Sequence, residues 1–193
     1  CFFEIENGFA FKPYQANGRS MHVHNAAYPS RPFKAWTGRN LTQKNRLALV
    51  RHPIGRVLSC YTNRVLHHRE LSNITLTDQQ IKRGVVPDPD LSTFIRFLPA
   101  YRKVAPSIRH HSEPLSHFLG SDPSLNTGLF PMSRISEFVS QVTDIVGPVP
   151  ELRQMQTSRD QDRVSESDLS PAERNRIESL FAEDLEIFGP SFE

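Results

Sequence analysis

Arg51 and Ser59 are the residues of this chain whose types and spacing point most directly to chemistry. Arg51 ends the apolar run RLALV (46–50), and Ser59 lies inside the helical pattern that follows it. A guanidinium carries a permanent charge and a fork of donors matched to phosphate oxygens. At the carboxyl end of a strand it faces the crevice in which open α/β sheets bind ligands. The following helix adds free N–H groups and the positive end of its dipole, and a serine hydroxyl adds one more donor. Arg56, in the first turns of that helix, either joins the group or braces the loop. The plainer reading pairs Arg51 with a carboxylate and leaves Ser59 as helix surface.

Chemistry on a bound anion would need a base, and histidine titrates near neutral pH. His22 and His24 alternate in MHVHN (21–25), so on a strand only one of them could face a cleft. His110 and His111 are further candidates for contact with an acceptor or cofactor. Neither His67-His68 nor His110-His111 has the i,i+4 spacing or companion ligands of a metal site, and Cys1 and Cys60 add none, so no metal is expected.

The elements that must position these groups follow from periodicity. CFFEI (1–5), MHVHN (21–25) and RLALV (46–50) have the character of strands, with turn-rich sequence from 6 to 20. Apolar residues at 54, 57, 58, 61 and 65 predict a helix opened by Pro53. Phe94, Phe97, Leu98 and Tyr101 predict a second helix after a polar linker (72–90). Residues 104–131 are expected to be mostly loop. Ile135, Phe138, Val139, Val142 and Val146 form the stripe of an amphipathic helix closed by Gly147. The best-signalled helix begins at Ser170, with Pro171 at its first position and Glu173 completing a capping box. Its apolar stripe runs Ile177, Leu180, Phe181, Leu185 and Phe188.

These elements fit one α/β domain over 1–193, and 193 residues with 37% hydrophobic content suffice for one core. No apolar run approaches the roughly 18 residues of a membrane helix. Residues 1–86 hold 13 Lys/Arg against 4 Asp/Glu, whereas residues 87–193 hold 10 against 17. The electropositive first half favours an anionic ligand, although two mutually attracting halves would show the same asymmetry. Without a basic helix or an aromatic-interleaved basic stripe, nucleic acid is not expected as a partner. The expected setting is a reducing, bacterial-type cytoplasm; a Golgi lumen would require a removed amino-terminal anchor. Asn40 and Asn73 stand in glycosylation triplets, which arise often by chance.

The wording of the strand–helix unit carries a family resemblance. VRHPIGRVLSCY resembles the 3'-phosphate-binding motif, R-D-P-x-x-R-x-x-S-x-Y, of sulfotransferases that use 3'-phosphoadenosine 5'-phosphosulfate. Arg51, Pro53, Arg56, Ser59 and Tyr61 match it, and His52 replaces the usual Asp. The carbohydrate branch is similar further on: in IRHHSEPLSHFLG, in SRISEF, and in a closing helix that keeps Asp184 and Phe188-Gly189 but has Pro190 for Tyr. The resemblance implies a P-loop-type three-layer α/β/α fold with a small central parallel sheet and a helix-rich C-terminal half. It also implies that Arg51 and Ser59 hold the 3'-phosphate of the donor, that His24, with His22 behind it, is the base, and that a hydroxyl, on a glycan, is the acceptor.

The family's phosphosulfate loop, P-K-x-x-G-T-S, is not reproduced. In the nearest register, YQANGRSM, Gly18 and Ser20 fall into place while Gln15 stands for the lysine and Arg19 for the threonine. Lys12 or Arg19 is then the candidate cation; by itself, Asn17-Gly18 reads as an ordinary turn. A non-catalytic domain of this type, binding 3'-phosphorylated adenosine nucleotides or anionic glycans, is the alternative. A nucleotide kinase is disfavoured because G-x-x-x-x-G-K-[ST] is absent.

Overall fold

The computed structural model of the chain describes residues 4, 7–35, 45–149 and 164–193. The strand expected at 1–5 lies outside these, except that the Glu4 carbonyl accepts a hydrogen bond from the Gly8 N–H (2.9 Å), a helical-turn pattern. Asn40 and Cys1 also lie outside them.

A short antiparallel hairpin comes first, β1 (Tyr14–Ala16) with β2 (Arg19–Met21). It is joined by Asn17 and Gly18, both with positive φ (50° and 71°), the left-handed pair that a two-residue turn requires. Residues 21–25 do not form the expected alternating strand. Met21 ends β2, and Val23–Ala26 makes a single helical turn, α1.

β3 (Leu47–Val50) then pairs in parallel with β4 (Gly128–Pro131), Val50 opposite Pro131. Alternation assigns one face to Leu49 and Phe130 and the other to Ala48, Leu129 and Val50. On the first lies α7 (Ile135–Val146), whose Phe138 meets Phe130 edge-on at 5.8 Å. On the second, Val50 and Leu129 pack with Leu115 of α6 (Leu115–Leu119) and Phe188 of α9 (Ala182–Phe188). Helices thus cover both faces of a small parallel sheet, in an α/β architecture dominated by helix. Of the stripe expected on α7, only Val142 is buried, because two strands cannot cover it; Ile135 and Val146 stay exposed.

A larger, all-helical core stands beside this sheet. It gathers α2 (Pro53–Cys60), the π-helical continuation Tyr61–His67, α4 (Leu91–Val104), α5 (Pro106–Ser112) and α8 (Pro171–Leu180) around Ile54, Leu71, Phe94, Leu98, Tyr101 and Ile177. The expected spacing 54, 57, 58, 61, 65 is the buried face. In α4, Pro99 has no N–H to return to the turn before it, and Phe97 leaves helical geometry (φ −109°, ψ 17°). The capping box of α8 forms as expected: Glu173 N–H donates to Ser170 Oγ, and Ser170 N–H donates to Glu173 Oε2. That stripe breaks into two helices at Phe181 (φ −123°, ψ 27°), while Ile177, Phe181 and Phe188 are buried.

Two expected loops carry helices. The linker 72–90 contains α3 (Asp78–Lys82), capped by Thr77 and Gln80. Residues 104–131 contain α5, α6 and β4. Both α5 and α6 are too short for local propensity to sustain them; their support comes from residues distant in sequence.

Candidate active site

The strand–helix unit sorts its motif residues into builders and open groups. Pro53 occupies the first position of α2, and the His52 ring, where Asp is usual, caps the helix by accepting the Ile54 N–H on Nδ1 (3.3 Å). Tyr61 is core: its ring lies 5.3 Å from Phe94 and its hydroxyl donates to the Pro89 carbonyl (3.1 Å).

Arg56 is a brace. Its Nη2 donates to the Glu113 carbonyl, and its Nη1 stands 3.6 Å from Asp184 Oδ2, within ion-pair range but too far for a hydrogen bond. Asp184 is fully buried and accepts the Leu115 and Ser116 N–H groups (2.6 and 2.9 Å), the orphan donors at the start of α6. Burial pulls the Arg56 pKa below its ordinary value, with Asp184 opposing that shift. Arg102 performs a parallel task, donating Nε to Ser112 Oγ (2.9 Å) and Nη2 to the Ser112 carbonyl, with its guanidinium 5.1 Å from the centre of the Phe181 ring. Two part-buried arginines, Arg56 of α2 and Arg102 of α4, therefore hold the α5–α6 junction, the segment HSEPL, with Asp184 of α9 on the other side.

Arg51 and Ser59 remain open. Both are exposed, and among the described residues Arg51 has no ion-pair partner. The Arg51 stem runs back over the first turn of α2, where a Cβ on Gly55 would touch its Cγ and Cδ at 3.5 Å. Gly55 and Ser59 are one turn apart on the same helix face, so the Arg51 stem and Ser59 share that face. Of the two sequence readings of Arg51, the one that ties it to a carboxylate does not occur among the described residues. What results is an exposed cation and an exposed hydroxyl beside α2, groups suited to a phosphate or sulfate. The expected open helix N-terminus is closed: Pro53 has no N–H, and His52 accepts the Ile54 N–H on its ring and the Arg56 N–H on its carbonyl.

The other candidates lie elsewhere. Gly18 is in the hairpin turn, Arg19 and Ser20 are exposed on β2, and Gln15 and Lys12 are exposed as well. His22 immediately precedes α1 without a side-chain cap, and its Nε2 lies 3.3 Å from Ser20 Oγ; His24 is exposed on that turn of helix. No hydrogen bond or ion pair joins residues 14–24 to α2 among the described residues. His110 and His111 sit on α5, where the His110 ring meets Phe118 edge-on at 5.8 Å. Both residues remain partly exposed; what burial they have, with the Arg64 cation adding to it, lowers both pKa values, His111 to about 4. Cys60 is buried in the core with its thiol pushed up to about 12 by burial, which makes it a packing residue rather than a nucleophile. Among the described residues no three His, Cys, Asp or Glu side chains converge as metal ligands, and no helix is long and apolar enough to cross a membrane.

Sequence reasoning noted Asp184 only as part of a terminal pattern and missed its role. The signal was present: Ile177, Phe181, Asp184 and Phe188 recur at core spacing, and a carboxylate on a core stripe requires a buried partner.

Comparison with curated proteins and with solved structures returns no match. A family model does match, over residues 6–191, and its description is the sulfotransferase family. That span holds the strand, the capped helix with its open Arg51 and Ser59, and the Arg56–Asp184 brace, and on it the chain belongs to the sulfotransferase family.

Proposed function

We propose that the chain folds as a single P-loop-type domain that transfers the sulfuryl group of 3'-phosphoadenosine 5'-phosphosulfate to a hydroxyl, on a carbohydrate. The observation that carries this reading is the exposed Arg51, without an ion-pair partner among the described residues, whose stem lies over Gly55 on the helix face that also carries Ser59. These groups fit the 3'-phosphate end of the donor: Arg51 supplies charge and paired donors, and Ser59 a hydroxyl. Arg56 acts through Asp184 by holding α6 against this helix. The bound donor would supply the activated sulfuryl group.

At the other end of the donor the fit is poorer. Gly18, Arg19 and Ser20 are the residues assigned there, and Arg19 is the cation in place of the missing lysine, but they form a hairpin rather than a loop leading into a helix. His24, with His22 behind it, is proposed to take the proton of the acceptor hydroxyl. The hairpin also favours a second reading, a sulfotransferase-like domain that binds the nucleotide or an anionic glycan without turnover.

Adenosine 3',5'-bisphosphate tests the site directly, because a ligand specific to the native state raises the unfolding midpoint by mass action. A rise that disappears in Arg51→Ala supports the assignment, and a rise that survives the substitution removes it. Binding without transfer of radiolabelled sulfate to any member of a glycan panel would favour the second reading.

A further inference from the structure

One motif of the sequence is not absorbed by the strand–helix unit: Asn73-Ile74-Thr75, which has the acceptor pattern of N-glycosylation. A triplet alone says little; the fold decides whether a sugar chain can stand on it. The segment runs from the turn after the π-helical stretch to Thr77, the cap of α3. Along residues 73–77 burial alternates residue by residue. Ile74 and Leu76 pack on the helical core, behind the fully buried Leu71, while Asn73, Thr75 and Thr77 face outward. Such alternation marks an extended backbone, which puts residues i and i+2 on one side. The Asn73 amide and the Thr75 hydroxyl therefore share the open face, and the residue between them is the anchor.

Nothing in the fold competes for either group. Among the described residues neither the Asn73 nor the Thr75 side chain makes a hydrogen bond, so a sugar on Asn73 Nδ2 displaces no partner. Thr77, the next outward residue, is by contrast committed to the capping box of α3. Beside Asn73 a groove of about 450 Å³ runs to the corner between α4 and α5, lined among others by Thr75, Val104, Pro106 and Ser107. Its volume lies in the range of sites that hold small molecules, which leaves room for the first sugar of a chain.

We propose that Asn73 is an N-glycan acceptor, and that the chain therefore passes through a lumen containing an oligosaccharide transferase. In that step Asn73 Nδ2 attacks the anomeric carbon of a lipid-pyrophosphate-linked oligosaccharide. A C–N bond forms as the C–O bond to phosphate breaks, the lipid pyrophosphate leaves, and the amide gives up one proton to the transferase. The proposal goes beyond the sulfuryl-transfer reading and does not depend on it.

The test has two arms. The full chain recovered from its native cells is treated with peptide N-glycosidase in heavy-oxygen water, which turns a glycosylated asparagine into labelled aspartate. Label at position 73 is expected; an unlabelled asparagine there would overturn the lumenal passage. In the second arm the full chain, behind a cleavable secretion signal, is expressed in cultured animal cells in an Asn40→Gln background that removes the other triplet. One glycan is expected, lost in Asn73→Gln and in Thr75→Ala and kept in Thr75→Ser, with an unfolding midpoint no lower than that of Asn73→Gln. A chain without a glycan, a glycan that survives Thr75→Ala, or a glycosylated form that unfolds at a lower midpoint would overturn the site.

Discussion

Arg51 and Arg56 lie five positions apart in one motif and do opposite work. Arg51 points to solvent with no counter-charge among the described residues, so removing it should cost ligand affinity and little stability. Arg51→Ala is expected to weaken adenosine 3',5'-bisphosphate by about 10- to 100-fold, the worth of charge-assisted hydrogen bonds, while the ligand-free midpoint stays put. Ser59→Ala should cost several-fold in calorimetric titration. Arg56 is part-buried against the fully buried Asp184, so its chemistry is structural. Asp184→Asn leaves a buried cation without a counter-ion and two helix N–H groups with one poorer acceptor; a loss of about 3–5 kcal/mol is expected in urea unfolding. Adding Arg56→Met should recover much of it, since the unpaired charge then disappears. A double variant no more stable than Asp184→Asn would show that the hydrogen bonds to α6, rather than the ion pair, dominate.

At the scale of elements, the hairpin and the closing helix make separable predictions. Gly18 has φ 71° and open space around its Cα, so Gly18→Val strains the turn without a clash, at about 1–2 kcal/mol. Because adenosine 3',5'-bisphosphate keeps its 5'-phosphate at the end proposed for the hairpin, its affinity is expected to fall along with sulfate transfer. Unchanged transfer would remove the hairpin from the site. For α8, Ser170→Ala deletes one half of a formed capping box and should lower stability by about 1 kcal/mol in the same denaturation experiment.

At the scale of the whole molecule, arginines of the basic first half lie against groups of the second, as Arg56 does against Asp184. Helix α5 lies against α2, and Arg64 and Arg56 both disfavour protonation of His110 and His111. A histidine whose folded pKa lies below its ordinary 6.5 binds fewer protons folded than unfolded, so stability rises with pH across that interval. Thermal midpoints are therefore expected to fall as pH drops from about 6.5 toward His111's folded value of about 4. His111→Gln should flatten part of that fall; an unaltered profile would mean that the ring is freely solvated.

Much of the molecule was legible along the chain. RLALV, the buried spacing 54 to 65, and Ser170-Pro171 with Glu173 encode a strand, a helix face and a helix start through local patterning. The motif that spans the first two singles out Arg51 and Ser59, but that Arg51 has no carboxylate beside it among the described residues is decided by packing. What local pattern could not show was α6, whose first N–H groups are capped by a carboxylate in the closing helix. It also could not show how much of the α7 stripe would be covered, which depends on how many strands lie beneath it. Asn17-Gly18 encoded its own turn, yet whether that turn serves a phosphosulfate depends on what it faces. Backbone preference and apolar spacing act over a few residues and are written in the chain; burial, ion pairing and the sharing of one surface by distant groups arise only when the elements pack.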